Sequence, residues 1–117
     1  MVIHSYKDLV VWQRAMELTL EIYKVTELFP KEETYGLTSQ MRRAAVSIPS
    51  NIAEGRLRGH RKEFKQFLWN AYGSAGELET QIELAKKLAK TSAINFEKAA
   101  SLLSEVMRML NAIINKL

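Results

Sequence analysis

The sequence predicts an all-α fold, an antiparallel up-down-up-down four-helix bundle, and three observations carry that prediction. Apolar residues recur every three to four positions through four long segments. Turn formers are sparse, with five glycines and two prolines. No useful length of chain alternates with the period of two that a strand requires. Amphipathic helices joined by short connections fold as antiparallel neighbours. At 117 residues the chain has the size of one domain, so a single bundle over residues 1–117 is expected.

The first helix is expected from about Asp8 to Phe29, because Ser5 and Asp8 have the spacing of a capping box. Two apolar rows run along it. Leu9, Trp12, Met16, Leu20 and Tyr23 form one, and Val11, Ala15, Leu18, Ile22, Val25 and Phe29 form the other. Joined through Thr19 and Thr26, they cover roughly 220° of arc, where a surface helix needs only ~100°. One face enters the bundle and the other requires a second partner. The expectation is that Val11, Ala15, Leu18 and Ile22 meet a neighbouring subunit.

Pro30 ends that helix. The second carries Leu37, Met41, Ile48 and Ile52 on one face and extends to Gly55 or Leu57. Pro49 inside it removes one ladder hydrogen bond, which predicts a kink, with Ser47, Ser50 or Asn51 satisfying the freed backbone groups. Two separate helices with Ser47 as a cap is the competing reading. Gly55 to His60 reads as the next connection. The third helix is expected from Arg61 to Lys90, with Phe64, Phe67, Ala71, Ala75, Leu78, Ile82, Ala85 and Ala89 as its seam. Thr91 and Ser92 supply a turn and an N-cap. In the fourth helix Phe96, Ala99, Leu103, Val106, Leu110, Ile113 and Leu117 keep heptad spacing to the last residue.

The inventory argues against catalysis. There is no cysteine, which removes thiolate nucleophiles, disulfides and thiolate metal sites together and fits a reducing, cytoplasmic setting. His4 and His60 are the only imidazoles, so a Ser-His-Asp arrangement has few candidate bases. Glu-x-x-His pairs for a di-iron centre are missing, as are phosphate-cradling glycine motifs. No metal or cofactor is expected. Glu77, Glu79 and Glu83 read as a solvated helix face. No run of apolar residues is long enough for a membrane span, and residues 1–8 lack the pattern of a signal peptide.

What rises above background is charge. Between Arg42 and Gln66, seven bases (Arg42, Arg43, Arg56, Arg58, Arg61, Lys62 and Lys65) face two acids, a balance of +5 in a chain whose net charge is +4. Forked arginine donors near a helix N-terminus suit phosphate. A second feature is a polar stripe on the second helix, Arg43, Ser47, Ser50, Asn51, Glu54 and Arg58, in which Glu54 and Arg58 are one turn apart and expected to pair. A third is Trp69 beside Gly73 and Gly76 on the third helix, a bulky anchor next to small residues that suits a subunit contact.

Three strings carry a resemblance: Phe29 to Gln40, Arg42 to Gly55 with its Ser-Ile-Pro-Ser-Asn-Ile-Ala-Glu-Gly core, and Phe67-Leu68 through Ala71-Tyr72-Gly73-Ser74 to Glu79. With the opening Tyr6 to Gln13 they extend the likeness over nearly the whole chain. It resembles the bacterial four-helix bundle proteins, also called 23S rRNA intervening-sequence proteins, and is similar to the accessory protein of diversity-generating retroelements. The resemblance implies an antiparallel four-helix bundle, a homopentameric ring, and a role in binding nucleic acid or a nucleic-acid enzyme. The expected function is accordingly that of a non-catalytic oligomer holding RNA or DNA backbone through the seven bases. An adaptor or scaffold docking an acidic protein, such as a reverse-transcriptase-like enzyme, is the alternative.

Overall fold

A computed structural model describes residues 5–117; His4 lies outside them. Four α-helices form the architecture: α1 (Val10–Thr26), α2 (Leu37–Leu57), α3 (Arg61–Lys87) and α4 (Glu97–Lys116). Each packs on its neighbours in sequence, and α4 returns to α1, so the four helices close a square around one core. The bundle measures 47 × 23 × 20 Å. No strand occurs among the described residues.

The start of α1 differs from expectation. Ser5 does cap a helical turn, its Oγ accepting from the Lys7 amide at 3.1 Å, but that turn is a single 3-10 turn, Tyr6–Asp8. Leu9 is extended (φ −74°, ψ 124°), and α1 begins after it. The helix also ends at Thr26, three residues before Phe29, which turns inward and meets Phe96 edge to face at 6.2 Å.

The two apolar rows of α1 are assigned in reverse. Val11, Ala15, Leu18 and Ile22 are buried in the chain's own core. They cannot meet a neighbouring subunit. Their row is centred on the bundle axis and includes alanine, which allows close approach to α2 and α4. Met16, Leu20 and Tyr23 of the other row face outward, Leu20 with 68% of its surface exposed.

Helix α2 is continuous through Pro49, as the first of the two readings required. The satisfying partner is not the expected one. Pro49 has no N–H to offer the carbonyl of Ala45, and the Thr19 hydroxyl of α1 shares its one proton between that oxygen, at 3.1 Å, and the Ala15 carbonyl, at 2.8 Å. Asn51 Nδ2 instead donates to the Ser47 carbonyl at 2.8 Å and to the Ser47 hydroxyl at 3.0 Å. Gly55, read in the sequence as the start of a connection, is a buried helical residue. A Cβ there would stand 2.6 Å from that of Phe67, so the absence of a side chain sets how closely α2 and α3 approach.

Helix α3 ends at Lys87, and Ala89 lies outside it, exposed. Thr91 is drawn into the structure by donating to the Ala85 carbonyl at 2.6 Å, and Asn95, whose Oδ1 accepts from the Glu97 amide at 2.9 Å, takes the role expected of Ser92 at the start of α4. The heptad seam of α4 is buried from Phe96 to Leu110, after which Ile114 replaces Ile113 in the core. A straight helix of 3.6 residues per turn drifts by ~20° per heptad, enough by the fourth turn to bring the next residue inward.

Candidate functional site

The seven bases do not form one cluster. Arg42 and Arg43 lie near the start of α2, about 20 Å along the helix axis from Arg56. Arg42 is occupied internally. Its Nε donates to the Thr26 hydroxyl at 2.8 Å, its Nη2 to the Tyr23 carbonyl at 3.4 Å, and its guanidinium lies 4.6 Å over the Tyr23 ring. A cation thereby closes the negative end of α1. Arg43 points outward and has no hydrogen bond or ion pair among the described residues.

The other five bases gather at the α2–α3 connection. Gly59 makes that turn possible: its φ of 75° is the left-handed conformation a helix C-terminus uses to reverse, and it is the one positive φ among the described residues. His60 is extended (φ −123°, ψ 136°) and opens α3 without capping it through its side chain. Arg56, His60 and Arg61 line a hollow of ≈ 200 Å³ floored by Gly55 and Phe64.

Two of these arginines are anchored. Arg58 pairs with Glu54 at 2.8 Å, the one-turn pair expected, and its guanidinium lies 5.1 Å from the centre of the Phe67 ring. Arg61 donates to the Lys116 carbonyl at 2.9 Å, binding the connection to the end of α4. Both contacts fix the guanidinium and leave part of its donor fork outward. Lys62 and Lys65 carry no hydrogen bond or ion pair among the described residues, Lys62 being exposed and Lys65 half-buried.

The polar stripe of α2 is partly an internal contact, since Ser47 and Ser74 of α3 share a hydrogen bond of 2.9 Å. Trp69 and Tyr72 meet edge to face at 5.8 Å on the outer side of α3. Gly73 and Gly76 lie beside them, and a Cβ at either would touch nothing within 4 Å. That face is open, with Trp69 47% exposed. Glu77, Glu79 and Glu83 are exposed as well. Among the described residues no helix is long and apolar enough to cross a membrane.

A crystal structure from Bacteroides thetaiotaomicron VPI-5482, of a protein of unknown function in the S23 ribosomal protein family, is similar in fold, with a TM-score of 0.74 and 27% identity over 91% of this chain and 96% of that one. No curated protein matches. The pattern of the 23S rRNA-intervening sequence proteins matches residues 7–112, from the 3-10 turn to the last turns of α4, so the chain belongs to that family.

Proposed function

We propose that the protein is a non-catalytic oligomer that holds the sugar-phosphate backbone of nucleic acid at the α2–α3 end. One observation carries the reading: five bases, Arg56, Arg58, Arg61, Lys62 and Lys65, converge on one connection at the positive end of the longest helix, two of them held in place by neighbouring side chains and backbone. Such an end contacts phosphate and carries no base-reading element, so binding is insensitive to sequence. Arg42 and Arg43 are not part of this surface. A cytoplasmic setting accords with the absence of cysteine.

Assembly belongs to the same reading. The outward row of α1, at Met16 and Leu20, and the Trp69, Gly73 and Gly76 face of α3 lie on helices at diagonal corners of the bundle. Two unlike patches on separate sides of one chain pair head to tail, and a head-to-tail contact that closes makes a ring. Five copies is the number the family resemblance implies. A ring multiplies a weak single-chain patch by simultaneous engagement.

The experiment is a salt titration of binding to a duplex and a single strand of arbitrary sequence. The log-log slope is expected at about −0.7 to −0.9 per phosphate neutralised. Lys62→Gln with Lys65→Gln flattens it by about that amount per lysine and weakens all sequences alike. Lys86→Gln with Lys87→Gln, about 33 Å away along α3, is the control. Equal loss from both pairs, or no binding at low salt, would shift the reading to the adaptor docking an acidic protein, for which the exposed Trp69 face supplies apolar contact.

A further inference from the structure

Away from the basic end, the outer side of α2 carries a trough that takes no part in the α2–α3 connection. This cavity, of ≈ 610 Å³, has Tyr23, Val46 and Tyr35 as its apolar walls and Thr34, Thr38 and Ser39 as its hydroxyls. A second hollow, ≈ 590 Å³, lies on the α3 side of α2 and reaches Ser74 and Glu77 of α3. Tyr35, Ser39, Arg43 and Ser47 border both, on the crest of α2 that lies between them. Ser39, Arg43 and Ser47 recur at intervals of four along α2, which stacks them on a single face about 6 Å apart per step.

Two side chains here lack the partners that the rest of the molecule provides. Tyr35, in the turn before α2, is 97% exposed, an aromatic ring whose faces touch almost nothing. Among the described residues Arg43 is the lining cation without an internal bond, whereas its neighbour Arg42 donates to Thr26 and Tyr23. A flat apolar surface and a free forked donor thus border one depression lined by hydroxyls. Glu77 on the α3 side repels a second negative charge, which limits the ligand to one anionic group near Arg43.

We infer that this trough holds one nucleotide unit, its base against Tyr35 on the Tyr23 and Val46 side, its single phosphate on Arg43, and its sugar among the hydroxyls. A planar base with a polar edge matches the mixed walls, and aromatic stacking accepts any base. Arginine engages phosphate through two parallel N–H donors. The unit comes from a free mononucleotide or from the end or a splayed base of a single strand, which present the same chemistry. The inference does not depend on the α2–α3 end.

The test uses the full chain and adenosine 5′-monophosphate, followed by calorimetry and by amide and tyrosine ring NMR shifts. A single site per chain is expected, with dissociation in the millimolar range or below and shifts centred on Tyr35 and Arg43. Tyr35→Ala and Arg43→Gln each weaken it about tenfold, at the lower end of what loss of one stacking or phosphate contact produces. Tyr35→Phe leaves it unchanged, because the ring face and not the hydroxyl is used. Both residues are exposed, so unchanged thermal unfolding of the variants verifies that the bundle is intact. Lys62→Gln with Lys65→Gln leaves the site unaltered, which separates this result from the fate of the basic end. Competition by oligo(dA) assigns the unit to a strand, and its absence assigns it to a free nucleotide. No binding at millimolar concentration, binding indifferent to Tyr35→Ala and Arg43→Gln, or ribose 5-phosphate binding as tightly as the nucleotide would overturn the inference.

Discussion

The contact between Thr19 and Ala45 shows how one residue resolves a conflict set up by another. Pro49 lies inside a helix, where its ring and missing N–H ordinarily cost about 3 kcal/mol or more. The orphaned Ala45 carbonyl is buried between α1 and α2, out of reach of water, and the Thr19 hydroxyl provides the donor. Thr19→Val keeps the shape and removes that donor, so a loss of about 1–3 kcal/mol is expected on chemical denaturation. In a Pro49→Ala background the helix supplies its own N–H to Ala45, and the same Thr19→Val change should cost less. Additive losses in this double-mutant cycle would show that the hydroxyl serves Ala15 alone.

Elements show where local pattern is sufficient and where it is not. Helix α1 has two apolar rows of similar strength, and periodicity ranks neither above the other. Packing decides, and Val11→Glu and Leu20→Glu distinguish the outcomes. The first puts a carboxylate into the core and should destabilise the chain by more than about 4 kcal/mol. The second alters a position exposed on the single chain, so below the concentration at which copies associate it should leave the unfolding midpoint within the spread of ordinary surface changes, about 0.5 kcal/mol. Far-ultraviolet circular dichroism during thermal unfolding reads both.

The connections carry a smaller, pH-dependent tie. Lys90, after α3, pairs with Glu32 in the 3-10 turn before α2. The hydrogen bond from Lys90 holds the Glu32 carboxyl below its ordinary value, and the same bond raises the Lys90 ammonium above its own. The stabilisation linked to Glu32 is therefore fully present above the ordinary carboxylate value and lost as pH falls through the depressed one. That linked to Lys90 is present below the ordinary ammonium value and lost as pH rises through the raised one. The tie spans the neutral range. Glu32→Gln should be slightly less stable than the parent at neutral pH and indistinguishable from it in acid, as followed by denaturation across pH. Both groups are exposed, so the difference is small and screened by salt.

At the scale of the molecule, charge and apolar surface are distributed over distinct faces. The basic connection occupies one end, the tyrosine and arginine trough the outer side of α2, and the open tryptophan face the outer side of α3. If head-to-tail contact covers that last face, Trp69→Ala should lower the assembled mass in light scattering at micromolar concentration while the helical signal is retained. A truncated central aromatic anchor commonly costs about 2 kcal/mol or more, close to thirtyfold in association. A parent that scatters as a monomer across that range would rule the ring out.

By itself the sequence determined the number of helices, the positions of the turns near Pro30 and Gly59, and most of the core, because these follow from a helical period and backbone chemistry that act over a few residues. The pairing of Glu54 with Arg58 was legible for the same reason, being one turn apart. The grouping of Arg42 and Arg43 with Arg56 was not, since closeness in sequence becomes separation along a helix axis at 1.5 Å per residue. Nor was the role of Gly55, which depends on how closely α3 brings Phe67 to it. Which row of α1 turns inward, which hydroxyl meets the carbonyl freed by Pro49, and which arginine is left open to a ligand were decided by contacts between segments far apart in the chain. Those contacts exist only once four helices share one core, and no local pattern contains them.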